Sequence, residues 1–193
     1  VVGQGDSRAV VSTGHCRLMP KGSEHFFFNE TESEDARVIG FYMNAPDVVG
    51  TGYEFCGTVT EDDINAPRDG LNDGILVELD NVPSVTDTLP DAWSGVAVKN
   101  PIGSHNGSPN ALLHATIPTG GAIDAHSLNN AEAIYFVANG EGEAEGVAGP
   151  ESIQPESFVF VPKGSSHTIR NTGSQALELF VVLTGAGGLS AAL

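Results

Sequence analysis

The sequence predicts an all-β protein, barrel or sandwich, that contains a duplicated unit. Three observations carry this expectation. Short β-prone runs separated by Gly, Pro, Asn and Asp dominate the 193 residues, and helical periodicity is weak. Two ten-residue stretches lying 142 positions apart, residues 20–29 and 162–171, agree at six places: Pro, Lys, Gly, Ser, His and Asn. The segments that follow them, residues 36–43 and 176–183, align as well. A fixed repeat offset is the mark of a duplicated structural unit.

Taken in order, the first half offers strands at residues 9–13, 16–19, 25–29, 37–43 and 53–59, and residues 1–5 read as a strand and turn. Residues 60–65 are the one helical turn, with Thr60 capping Glu61 and Asp62. The stretch 44–109 is rich in Asp, Asn, Gly and Pro. Residues 75–79 and 93–98 within it read as ordered pieces rather than tether. The second half offers strands at residues 111–117, 133–138, 158–161, 167–171 and 176–183.

Eight Lys and Arg stand against 25 Asp and Glu, a formal charge of −17. Such a surface repels phosphate backbones and argues against nucleic-acid binding. It fits a salt-adapted or marine source as well as an ordinary acidic protein. No run of eighteen apolar residues is present, so no membrane span is expected. The cytoplasm is the expected compartment. Cys16 and Cys56 lack zinc-type spacing and sit in β-prone runs, which favours buried free thiols over a disulfide. The chain opens on Val1 with a strand already under way, and residues upstream of it are expected.

The repeated stretches share the pattern P-x-G-x-x-H-x-x-x-N. Pro20, Gly22, His25 and Asn29 fill it in the first copy, and Pro162, Gly164, His167 and Asn171 in the second. Gly14 precedes the first copy at a place where the second has Glu156. Upstream of the second copy, Gly120 is followed by five residues and His126, and Gly140 closes the segment. These patterns resemble the two motifs of the cupin superfamily, over residues 1–43 and about 110–185. The resemblance implies tandem double-stranded β-helix barrels of the jelly-roll type, a bicupin. Residues 1–59 would be the C-terminal part of a first cupin barrel, 60–109 an inter-domain segment and 110–193 a second barrel. It also implies that each repeated histidine points into its barrel. A first barrel that begins midway needs cover from upstream residues, another part of the chain or a second subunit.

In the family the first motif, G-x5-H-x-H-x3,4-E-x6-G, sets two His and one Glu around a metal beside the later His. Here Leu128 takes the place of the second His and Ala133 that of the Glu, with Glu132 one residue early. The strict count keeps His126 and His167. The generous count adds Glu132, a set suited to one divalent transition metal (Fe, Mn, Ni or Zn). Strand alternation puts Ala133, Tyr135 and Val137 inward and Glu132 outward, unless a bulge near residues 130–133 turns it in. The alternative for His126 and His167 is a pair of buried neutral imidazoles satisfied by hydrogen bonds. By the resemblance His25 is either a first-barrel ligand or a barrel histidine without metal.

Asn29 and Asn171 are expected to fix turns through side-chain to backbone bonds, and Gly22 and Gly164 to supply backbone shapes other residues avoid. Phe26, Phe27 and Phe28 face both sides of a strand, as pocket, core or interface. His105 and His114 flank a turn; His114 is a substitute ligand, a pocket base or a half-exposed strand histidine. No nucleophile elbow, P-loop or dinucleotide fingerprint occurs. Two function classes follow. One is a metal-dependent dioxygenase, decarboxylase or isomerase acting on a small molecule. The other is a non-catalytic cupin that stores, binds or assembles, which the lost ligands favour. A small-molecule ligand and a homodimer are the expected partners.

Overall fold

The computed structural model describes residues 1–4, 6–71, 74–85 and 89–193. The turn expected at residue 5 lies outside them. The chain divides into two compact units, Val1–Leu76 and Val77–Leu193. Among the described residues, no helix is long and apolar enough to cross a membrane.

The first unit carries β1 (Val2–Gln4), β2 (Ser7–Ala9), β3 (His15–Leu18), β4 (Phe26–Phe27), α1 (Glu61–Asn65) and β5 (Ile75–Glu78), the strand in which it ends. β2, β1 and β4 form an antiparallel sheet in that order, and β3 pairs with β5. α1 starts where its cap predicts: the Asp63 N–H donates to the Thr60 hydroxyl at 3.3 Å, and the Thr60 N–H donates to the Asp63 carboxylate at 2.9 Å. That carboxylate also meets the buried Arg8 guanidinium at 2.7 Å. Thr60 first, and Arg8 after it, hold its pKa below the usual carboxylate value.

Three expected strands are not formed: of residues 9–13 only Ala9, the last residue of β2, lies in a strand. Residues 37–43 and 53–59 carry no strand, and Val38, Tyr42, Tyr53 and Phe55 are all more than 60% exposed. A β-prone run becomes a strand only when a neighbour takes its backbone bonds. The left-handed backbone at Asn44 (φ 58°) ends the run at 37–43, and Gly57 (φ 126°) breaks that at 53–59. Cys56 is therefore exposed, against the expected burial, whereas Cys16 is buried and its thiol pKa is pushed up to about 11 by desolvation.

The second unit carries β6 (Ala97–Ile102), β7 (Ala111–Ile117), β8 (Ala122–Ser127), β9 (Glu132–Asn139), β10 (Gly142–Gly146), β11 (Gly149–Ile153), β12 (Phe158–Val161), β13 (Ser166–Asn171), β14 (Leu177–Thr184) and α2 (Leu189–Ala192). One antiparallel sheet runs β12-β9-β14-β7-β6 and the other β11-β10-β13-β8. The core fills the space between them, as a double-stranded β-helix requires. Ala111, Leu113, Ala115 and Ile117 of β7 point inward and are buried, while Leu112, His114 and Thr116 face out. β8, β10 and β11 were not expected from the sequence. Gly and Glu dominate β10 and β11, and their ladder hydrogen bonds to each other and to β13 override weak propensity.

The repeated ten residues fold alike locally. In each copy the Ser N–H donates to the Pro carbonyl, Ser23 to Pro20 at 3.2 Å and Ser165 to Pro162 at 3.0 Å. Gly22 and Gly164 sit at φ 81° and 74°, where a side chain is strained. The Asn29 amide oxygen accepts from the Thr31 N–H, and that of Asn171 from the Gly173 N–H. Asn171 also donates to the Ile117 and Gln175 carbonyls, closing a buried corner of the barrel. The histidines then diverge. His167 is buried; His25 is exposed, with its ring edge-on to Phe27. The expectation that both point into a barrel holds for His167 only. β4 is two residues long and ends at Phe27, and among the described residues no second sheet closes over His25 in the way β8 closes over His167.

Candidate functional site: a paired-histidine cluster in the second barrel

β8 and β13 are antiparallel neighbours, and their register sets His126 directly opposite His167. Opposed side chains on one face of a strand pair stand within contact, and the two imidazole centroids are 4.3 Å apart. Each ring is held by its own strand. The His126 Nδ1 lies 2.9 Å from the Asp124 carbonyl and the His167 Nδ1 3.2 Å from the Ser165 carbonyl. A carbonyl only accepts, so Nδ1 carries the proton in both rings and Nε2 is the acceptor.

Both Nε2 acceptors are engaged by protein donors. The Tyr135 hydroxyl, on β9, donates to the His167 Nε2 at 2.7 Å. The Trp93 indole N–H donates to the His126 Nε2 at 3.2 Å. Trp93 ends a short 3-10 turn, Asp91–Trp93, and is fully buried against the core with its ring edge-on to His126. The cluster is thus a chain of four rings, Trp93, His126, His167 and Tyr135, closed by hydrogen bonds at both ends.

Burial sets its electrostatics. Desolvation lowers the His126 pKa, partly opposed by the Asp124 carbonyl. Desolvation, with His126 as a second contributor, lowers the His167 pKa from 6.5 to about 4. The fully buried Tyr135 hydroxyl is pushed far above its ordinary value by desolvation. At neutral pH the cluster is uncharged throughout.

The structure brings together His126 and His167 of the sequence-derived site residues. Glu132 does not join them: it is exposed at the start of β9, beside Ala133, Tyr135 and Val137, which face the core. The irregularity in the pairing of β9 with β14 falls between Glu178 and Leu179, at the far end of the strand from Glu132, so no bulge turns Glu132 inward. Leu128 is fully buried, and its carbonyl accepts from the Gly164 N–H, tying the repeated turn to β8. His114 is a half-buried residue on the outer face of β7. Its Nε2 lies 3.8 Å from the Glu178 carboxylate and its ring 5.1 Å from that of Phe180, with its pKa lowered mainly by burial. Trp93 and Tyr135 were missed as site residues. Tyr135 was legible as an inward residue; Trp93, the single tryptophan, carried no motif.

These residues do not fit a cupin metal centre. Two imidazoles are present, but the third and fourth donor places hold Leu128 and Ala133, and both Nε2 lone pairs accept from Trp93 and Tyr135. Among the described residues, no group of three His, Cys, Asp or Glu side chains is placed to hold an ion.

Residues 113–183 match the family model of the cupin domain. No curated protein sequence matches the chain. Among solved structures, the chain is similar to a protein described as a predicted oxalate decarboxylase from Thermotoga maritima. Identity is 21%, the match covers 54% of this chain and 94% of that one, and the TM-score is 0.47. A polyketide cyclase from Streptomyces resistomycificus is 18% identical over 55% of this chain and 76% of its own, with a TM-score of 0.49. A cupin domain from Schizosaccharomyces pombe is 15% identical over 58% and 77%, with a TM-score of 0.48. With residues 113–183 matched and both sheets of the double-stranded β-helix in place, the second unit of this chain is a cupin domain.

Proposed function

We propose that this cupin domain is non-catalytic, a binding or assembly module whose former ligand histidines now serve as structure. One observation carries the reading: the acceptor nitrogens of His126 and His167 are spent on the Trp93 N–H and the Tyr135 O–H. Removing a donor from a buried acceptor costs about 1–3 kcal/mol. An ion would have to displace both donors and still find a third ligand.

The test is elemental analysis of protein purified without chelator, followed by calorimetric titration with Fe(II), Mn(II), Ni(II) and Zn(II). The expected result is well under 0.1 equivalent of metal and no saturable binding. The competing reading, a metal-dependent oxygenase, decarboxylase or isomerase, draws on the cross-strand placement of the two imidazoles. It requires a full equivalent that disappears in His126→Ala, and that result would overturn the proposal.

The assembly half of the proposal takes a second copy of the chain as partner. Phe158 and Phe160 project from β12, the edge strand of the five-stranded sheet, and each is 58% exposed. Two exposed aromatics on a sheet edge are the kind of surface soluble proteins cover. Light scattering should return twice the 20.0 kDa chain mass, and the Phe160→Glu variant should shift it towards the monomer. A wild-type monomer at micromolar concentration would refute the dimer.

A further inference from the structure

We infer that the second unit holds a small-molecule site apart from the histidine pair, for a neutral ligand with an apolar body and one hydrogen-bonding head. A cavity of about 300 Å³ lies between the inner end of β6 and β7 and the segment leading into α2. It shares no lining residue with the Trp93, His126, His167 and Tyr135 cluster. Its lining combines the buried Val98 and Leu113, the partly buried Leu89, and the exposed Ser104 and His105. Among the described residues, no Asp, Glu, Lys or Arg lines it.

The turn that carries Ser104 and His105 is built, not a loose loop. Gly103 and the 3-10 turn Ser104–Asn106 follow β6. The Gly103 N–H donates to the Asn106 amide oxygen at 2.9 Å, and the Asn106 amide donates to the Pro101 carbonyl at 2.8 Å. The turn docks on Gly187, whose carbonyl accepts from the Ser104 N–H at 2.8 Å and the Ser104 hydroxyl at 3.0 Å. Only glycine permits that approach: a Cβ on Gly187 would lie 2.7 Å from the Ser104 Oγ, and one on Gly103 would run into the Gly187 carbonyl. The lining therefore sets His105, on a hydrogen-bonded turn, beside apolar residues. A cavity with few placed polar groups is the usual form of a ligand site. A void of about 150 Å³ holds benzene, so this one admits a body of about two fused rings. The described lining residues offer no ionic partner to a buried charge, which favours a neutral ligand.

The chosen probe is 2-naphthol, followed by ¹H–¹⁵N chemical shifts in the full chain. Saturable shifts at Val98, Ser104, His105 and Leu113 are expected, with naphthalene-2-carboxylate binding at least tenfold more weakly. Gly188→Val should weaken 2-naphthol at least tenfold. The Gly188 backbone is extended (φ 173°), and a side chain there would meet the Asn100 amide of the cavity wall at 3.5 Å. Leu89→Trp is a second blocking variant, and His105→Ala should cost about fivefold by removing the head contact. The inference fails if 2-naphthol gives no saturable shift, if its shifts centre on His126 and His167, or if either folded blocking variant binds it as the wild type does. Such a failure leaves the metal titrations of the histidine pair untouched, so the two readings stand or fall separately.

Discussion

Lowering the pH from 7 to 5 is expected to cost the second unit about 2 kcal/mol of stability through His167 alone. The sign follows from the direction of the shift. In the folded chain His167 protonates near pH 4, against 6.5 ordinarily, so the unfolded state takes up its proton first. The contribution is complete above pH 6.5 and is lost as the pH falls towards 4. His126 is shifted the same way by burial and adds to the slope. The geometry supplies the reason: a proton on the His167 Nε2 would oppose the Tyr135 O–H that donates to it. Acidification also moves a chain of formal charge −17 towards its pI of about 4.4, relieving self-repulsion and acting in the opposite direction. The informative quantity is thus the difference from His167→Gln, which keeps hydrogen-bonding capacity but does not titrate. Denaturant unfolding followed by Trp93 fluorescence reports on the second unit, since Trp93 is the single tryptophan and lies there. His167→Gln should be the less stable protein at pH 7 and should lose less on going to pH 5. A gap between the two proteins that stays constant from pH 7 to pH 5 would exclude a buried neutral His167.

The second barrel was legible because its signals are local and repeated. Residues 111–117 and 158–161 were bounded to the residue, and the turn at Pro162 to His167 was read from its copy at Pro20 to His25. Inward Tyr135 and outward Glu132 followed from strand alternation alone. What stayed hidden was set by partners distant in sequence. β10 and β11 have poor strand composition and exist because β13 pairs beside them. Residues 53–59 have good strand composition and no strand, because none of the described residues pairs with them. At the site, spacing identified His126 and His167, but not the donors that occupy their nitrogens. Trp93 lies 33 residues before His126. No motif encodes that contact; it arises because the turn ending at Trp93 packs onto β8.

Truncating Trp93 to alanine is expected to destabilise the second unit by about 3–5 kcal/mol, the range for removing a large buried aromatic. Trp93 is fully buried and belongs to the same apolar cluster as Val96, Val98, Leu128 and Leu189. Its loss would both empty a volume in the core and orphan the His126 Nε2. The two contributions can be separated. Trp93→Phe keeps most of the volume and removes only the N–H, so it should cost about 1–2 kcal/mol. It also removes a bond that favours neutral His126, so the His126 pKa should rise in that variant, measurable by imidazole NMR. Circular dichroism replaces fluorescence as the unfolding probe, since neither variant retains a tryptophan. If Trp93→Ala costs less than about 1 kcal/mol, the indole is not a closing element of the barrel. If Trp93→Phe leaves the His126 titration unchanged, the N–H does not hold that nitrogen in solution. The second outcome would also reopen the interior to a metal ion, because a His126 Nε2 without a protein donor is again an available ligand.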